Sequence, residues 1–377
     1  MTTLPSDVID AHWMRVALAL ARRGLGQVAP NPAVGCVLVQ YDHEGGRVVG
    51  RGWTQPGGRP HAETEAIGRA GKESLGSVAY VTLEPCAHQG HTDPCADALI
   101  SAGIKRAVVA TLDPDERVSG KGILRMKRAG IQVDLGCCNR QARQLNAGFL
   151  ATRETGRPHV ALKVATTFDG KIAAINRHSQ WITGPESRAY GHLLRSRFDV
   201  ILTGSGTVLN DNPMMTCRLP GLEKYSPIRA LVLGHRKIPF DSKILSYEHG
   251  PPTLVYLGYK HSLAEDNVFL KKVEVCKVRC DTFGYPVLSE ILADLVARGI
   301  TRVLVEAGSR LNTAFLKAEG VDEIHWFRAS TILGNDSIPV IGDLGQDNVE
   351  KLRRFSVIEQ KRMGNDMYEL LSKQANG

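Results

Sequence analysis

Four residues in the first hundred could build a metal centre with its own proton carrier: His61 and Glu63 in His-Ala-Glu, Cys86 after Pro85, and Cys95 after Pro94. One imidazole and two thiolates suit Zn²⁺ and leave its fourth tetrahedral position to water, as in a catalytic rather than a structural zinc site. Glu63 stands two residues from His61, too close to share the ion from one helix start, but placed to take a proton from the activated water. Such a set removes an amino group from a ring carbon by hydrolysis. Taken singly, each residue has a plainer reading: His61 caps a helix or lies on the surface, and both cysteines fill the core. The ordered set favours the metal.

The elements that must hold these residues can be read from apolar spacing. It predicts a helix over 11–23 stopped by Gly24 and Gly26, a buried strand over 34–39, and a helix over 62–70 opened by His61 after Pro60. A strand over 77–82 runs into Cys86, and Cys95 begins a helix over 95–102, where the positive end of the helix dipole favours a thiolate. A strand over 106–110, a helix over 123–129, a short strand over 131–135 and a helix over 141–150 follow. This alternation implies an α/β domain with a mixed or parallel sheet covered by helices. The polar stretch with Gly156 and Pro158 reads as a linker. The expected domains are therefore 1–150 and 159–377, joined by 151–158. The second has strands over 159–165, 200–203, 228–233, 253–257 and 302–305, with helices such as 186–195 and 288–298.

At 377 residues, with 43% hydrophobic and 23% charged side chains, the chain is long enough for two folded domains. The 47 basic and 39 acidic residues leave a net charge of +8 without dense clustering, which suits small anions at least as well as nucleic acid. Aromatic residues, at 6%, are sparse for base-stacking platforms. No apolar run approaches the ~20 residues that span a membrane, and residues 1–10 do not read as a secretory leader. The expectation is a cytoplasmic enzyme with reduced thiols, in which Cys36, Cys137, Cys138, Cys217, Cys276 and Cys280 are structural or incidental.

Nucleotide and nucleic-acid deaminases usually space their cysteines as Pro-Cys-x-x-Cys, whereas a longer loop runs from Cys86 to Cys95. With Asn31-Pro32-x-Val34-Gly35, Leu83-Glu84-Pro85-Cys86, Asp113-Pro114 and Val118-x-Gly120-x-Gly122, the chain resembles the bifunctional deaminase/reductase family of riboflavin biosynthesis. The resemblance implies an N-terminal cytidine-deaminase-like three-layer α/β/α domain and a C-terminal dihydrofolate-reductase-like α/β domain. It also implies Zn²⁺ and NADPH as cofactors and a phosphorylated diaminopyrimidinone as substrate, deaminated and then reduced from ribosyl to ribityl. Asn31 and His88 fall at the family's deaminase substrate positions. His91 stands where the family more often has Arg. Nucleic acid and membrane are not expected as partners, and self-association is left open.

In the second half, Lys163-Val-Ala165 through Asp169-Gly170-Lys171, Ser179-Gln-Trp181 and Thr203-Gly204-Ser205-Gly206-Thr207 resemble the family's reductase domain. By itself Gly204-x-Gly206 is a weak sign, because the third glycine of a dinucleotide fingerprint is missing. A stronger one is the apolar strand ending at Val305, the turn at Gly308 and the helix that follows, whose free amides could seat a diphosphate with Ser309 and Thr313 as extra donors. The resemblance carries NADP contact to Gly308, Ser309, Arg310, Leu311, Asn312, Thr313 and Ala314, and to Ala165, Trp181, Thr207, Asp211 and Gly234. It carries reductase substrate contact to Ser179, Arg195, Met215, Arg218 and Glu306. Arg195 and Arg218 suit a clamp on a 5′-phosphate, and His235, Arg236 and Lys237 a contact to the 2′-phosphate of NADPH. Two other readings compete: a nucleoside or tRNA-base deaminase with an accessory domain, and a nucleotide- or RNA-binding pseudoenzyme.

Overall fold

Along β1 (Gly35–Asp42) alternate side chains enter two different cores: Cys36 and Leu38 face one helical layer, Val37 and Val39 the other. This is the computed structural model of the chain, described over residues 6–43, 45–89, 93–115, 118–246, 250–259 and 273–374. It divides into two units, Met1–Gly156 and Arg157–Gly377. In the first, β1 lies between β2 (Gly45–Trp53) and β3 (Val78–Val81), antiparallel to both. The sheet continues in parallel through β4 (Arg106–Val109) and β5 (Gln132–Leu135). One face carries α1 (Ser6–Ala21) and α5 (Asn139–Leu145). The other carries α2 (Ala62–Ala70), α3 (Cys95–Ser101), α4 (Lys121–Arg128) and α6 (Ala147–Glu154). This is the expected three-layer α/β/α arrangement.

Strand β2 departs from the sequence expectation, because its four glycines dilute every strand signal. The fold needs two of them: a Cβ on Gly50 or Gly52 would stand 2.2 Å from the carbonyl oxygen of Ala66 or Ala62 in α2. Their absence lets the helix that follows His61 settle directly on the sheet. A single helix over 141–150 was expected, but α5 and α6 are separated at buried Asn146, whose side chain accepts the Ala33 amide (2.9 Å) and donates to the Ala33 carbonyl (3.1 Å). Helix α6 continues to Glu154, so half of the segment expected as a linker is helical. It ends where Gly156 takes a φ of +69°, a left-handed turn suited to glycine at a helix C-terminus.

The second unit is built on a nine-stranded sheet in the order β11-β10-β9-β8-β12-β6-β13-β16-β15. The strands are β6 (His159–Thr166), β8 (Val200–Gly204), β9 (Ile228–Val232), β10 (Thr253–Gly258), β11 (Val273–Val278), β12 (Arg302–Val305), β13 (Glu323–Arg328), β15 (Phe355–Met363) and β16 (Asp366–Lys373). Parallel pairing runs from β11 to β13, and the two pairings of β16, with β13 and with β15, are antiparallel. β7 (Lys171–Ala173) and β14 (Ile338–Pro339) form a separate two-stranded ladder. Helices α10 (Leu288–Ala297) and α11 (Ser309–Lys317) cover one face. The other is covered by α7 (Pro185–Arg195), α8 (Ser205–Asp211) and α9 (Lys243–Ser246). In such sheets the carboxyl ends of the strands form the ligand crevice.

Candidate active sites

His61 is the N-cap of α2, with extended backbone (ψ 160°), and Glu63 is the second residue of that helix, 3% exposed. Pro94 stops the incoming chain, and Cys95 opens α3. The Cys95 amide donates to Cys86 Sγ (3.3 Å) and the Ala96 amide to the Cys86 carbonyl (3.1 Å), so both ends of the cysteine loop are pinned together. His61 Nδ1 lies 3.1 Å from Cys95 Sγ and 3.8 Å from Cys86 Sγ. A tetrahedral zinc with ligand distances of ~2.0 and ~2.3 Å needs an N–S edge of about 3.6 Å, which these spacings bracket. The three donors fit the ion.

The two thiols keep one proton between them, on Cys95, contrary to the thiolate expected at that helix start, and zinc binding there would release it. The hydrogen bond from Cys95 holds the Cys86 thiol well below its ordinary value, while that bond and burial hold Cys95 well above. Burial lifts the Glu63 carboxyl to about 7, against the opposing pull of His61. Asn31 lies against the Pro56–Gly58 turn, where a Cβ on Gly58 would meet its Nδ2 at 2.0 Å. His88 Nδ1 is buried with no hydrogen-bond partner among the described residues, close to the zinc ligands in sequence. His91 lies outside the described residues.

In the second unit a cavity of about 1320 Å³ opens at the carboxyl ends of β6, β8, β9 and β12. Every residue expected at a cofactor position lines it except Thr313. That hydroxyl is already committed, donating to the Ser309 carbonyl (2.6 Å) and accepting the Gly342 amide (2.7 Å), so it is no extra donor for a ligand. Asn312 donates to the Ala307 and Val340 carbonyls and leaves Oδ1 buried without a partner among the described residues. His235 and Arg236 line the cavity, Lys237 does not, and Arg236 Nη1 stands 4.0 Å from where a Gly206 Cβ would be.

All five expected reductase substrate positions, Ser179, Arg195, Met215, Arg218 and Glu306, line the same cavity. Arg195 departs from the phosphate-clamp expectation. Its Nε and Nη2 donate to the two Glu306 oxygens (2.7 and 2.9 Å) and its Nη1 to the Thr216 carbonyl (2.9 Å), leaving no free fork for a phosphate. Arg218 is exposed and makes no ion pair among the described residues. The sequence reading did not single out Lys163, whose Nζ stands 3.4 Å from Glu306 Oε2. Despite burial, Arg195 and Lys163 hold the Glu306 carboxyl well below the usual carboxylate range. Nine basic side chains line the cavity against three acidic ones, a balance that favours anionic ligands.

His192, on α7, completes this corner by accepting the Arg218 amide at Nδ1 (3.2 Å). Burial, then Arg195 and Arg218, push its imidazole down to about 4. An unfolded histidine titrates near ~6.5, so between these values the unfolded chain binds a proton that the folded chain does not. The associated stability is complete above this window and is lost as the pH falls through it. The drop in melting temperature from pH 7 to pH 4.5 should therefore be shallower in His192→Asn, which keeps an acceptor but cannot titrate. Equal drops in variant and wild type would contradict this assignment.

The two units together define a class: a zinc-type deaminase domain followed by a dihydrofolate-reductase-like domain. Residues 8–111 match the model of the cytidine and deoxycytidylate deaminase zinc-binding region, and residues 158–368 that of the RibD C-terminal domain. The riboflavin biosynthesis protein RibD of Aquifex aeolicus is 40% identical over 95% of this chain and 97% of its own length. That of Escherichia coli is 35% identical over 95% and 98%. A deaminase/reductase structure from Thermotoga maritima superposes with a TM-score of 0.84 at 32% identity, covering 98% of this chain and all of the other. Acinetobacter baumannii RibD gives 0.82 at the same identity and coverage. The chain belongs to the RibD family, and it is a bifunctional enzyme of riboflavin biosynthesis, a hydrolytic deaminase and a reductase.

Proposed function

We propose that residues 1–150 deaminate 2,5-diamino-6-(5-phosphoribosylamino)pyrimidin-4(3H)-one and that residues 159–377 then reduce its ribosyl group to ribityl with NADPH. The observation that carries the first step is the convergence of His61, Cys86 and Cys95 beside the buried Glu63. A zinc held by these three supplies Lewis-acid activation of a water molecule. Glu63 takes the proton of the attacking water, passes it to the ring nitrogen, and then assists departure of the amino group as ammonia. Asn31 offers paired donor and acceptor edges to the pyrimidine, and His88 brings a free ring nitrogen.

For the second step, the amides at the start of α11 seat the cofactor diphosphate, and Arg236 is the guanidinium for its 2′-phosphate. NADPH supplies the hydride, and the protein supplies alignment and charge. Lys163 stands beside the Glu306 carboxylate on the cavity wall, while Arg218 takes the substrate 5′-phosphate. The basic cavity and the pyrimidine chemistry favour a small phosphorylated substrate over nucleic acid. No helix among the described residues is long and apolar enough to cross a membrane, and eight free thiols suit the reducing cytoplasm.

A coupled assay on the purified chain tests both steps, following ammonia release and then NADPH oxidation, with NADH supplied in parallel. A zinc chelator should abolish ammonia release and leave reduction of the pre-deaminated nucleotide intact, with NADPH the better donor. Undiminished ammonia release from chelated, zinc-free protein would overturn the metal assignment.

A further inference from the structure

Glu84 is a buried carboxylate, 3% exposed, that the chemistry above does not use. Among the described residues no cation pairs with it. Four backbone amides do: Oε2 accepts those of Gly120 (2.9 Å) and Asp113 (3.4 Å), and Oε1 those of Gly122 (3.0 Å) and Ile123 (3.2 Å). Gly122 and Ile123 belong to the first turn of α4, whose amides have no acceptor within the helix and form its positive end. The contact is tightened from a second side, because the Glu84 amide donates to the Thr111 carbonyl (3.0 Å). A third constraint is Gly122 itself: a Cβ there would stand 2.0 Å from the Pro85 carbonyl oxygen. Thr111, Asp113, Gly120, Gly122 and Ile123 are thereby fastened to Glu84-Pro85, and the next residue is the ligand Cys86.

We propose that Glu84 is a positioning residue of the deaminase centre: its carboxylate gathers the amides of Asp113, Gly120, Gly122 and Ile123 and so fixes the Pro85-Cys86 backbone that aims Cys86 Sγ at the metal. The inference rests on the zinc reading above. The geometry requires a carboxylate, because four donors converge on two oxygens. A glutamine would set its own NH₂ against one pair of amides, and an aspartate, one methylene shorter, would reach only one pair. Groups that hold metal ligands in place typically change metal affinity by about 10–100-fold when removed.

The test uses the full-length zinc protein and its cobalt(II)-substituted form. Glu84→Gln is expected to release zinc to a chelator about 10–100-fold faster than wild type and to weaken or shift the cobalt–thiolate charge-transfer band. Its reductase rate, which belongs to the other unit, should be unchanged. Glu84→Asp should move both readouts in the same direction by less, and it decides the matter if the Gln variant does not fold. Wild-type zinc release and a wild-type cobalt spectrum in either folded variant would overturn the proposal, whatever happens to activity. A wild-type chain that held no zinc would overturn the metal reading and this inference with it, whereas zinc-bearing wild type with unaffected variants would overturn this inference alone.

Discussion

Glu63→Gln should leave zinc content and reductase rate unchanged and slow deamination by about 10²–10⁴-fold, the range of a lost general acid–base group. The two side chains have nearly the same size, and position 63 is enclosed at the start of α2, so shape and packing are preserved. The amide cannot accept the proton of the attacking water or return it to the ring. Both halves of the proton shuttle fail together, which places this loss toward the upper end of the range. Ammonia release at saturating substrate measures the effect, with metal analysis on the same sample. A zinc-replete variant that kept wild-type deamination would remove Glu63 from the chemistry.

The second large effect concerns the buried pair of Arg195 and Glu306, whose side chains are 14% and 9% exposed. Arg195→Ala leaves a buried carboxylate with only Lys163 for charge, a loss of about 3–5 kcal/mol. For a unit of this size that corresponds to about 6–20 °C in melting temperature. Reduction should fail with it, because Glu306 and the 216–218 segment lose their common anchor. Arg218→Ala should behave in the opposite manner, melting like wild type while raising KM for the nucleotide and leaving KM for NADPH unchanged. If Arg195→Ala melted normally and only raised the nucleotide KM, the guanidinium would be a phosphate clamp after all.

Much of the first site is legible in the chain because metal chemistry imposes local order: Pro60-His61-Ala62-Glu63 opens one helix and Pro94-Cys95 another, and both starts are where the spacing puts them. The parallel strands β3, β4, β6, β8, β9, β10 and β12 are equally visible as short apolar runs. The hidden features have partners far along the chain. The glycines of β2 read as a weak strand until α2 is seen resting on them. Asn146 reads as an ordinary helical residue, and its partner is Ala33, 113 positions away. Lys163 belongs to a quoted motif, yet its significance comes from Glu306, 143 positions on. In β13 the buried Glu323 and His325 interrupt the apolar residues Ile324, Trp326 and Phe327 and mask the strand.

The Asn146 side chain that divides α5 from α6 has a consequence for synthesis. Every zinc ligand and Glu63 leave the ribosome well before residue 146, and so does Thr54, whose hydroxyl donates to the Pro32 carbonyl, whereas the Ala33 amide and carbonyl gain their partners only when Asn146 arrives. The nascent chain therefore carries its full set of candidate ligands before the backbone at Ala33 is satisfied. A chain ending at Leu145 would keep that set and leave both Ala33 backbone groups without their side-chain partner.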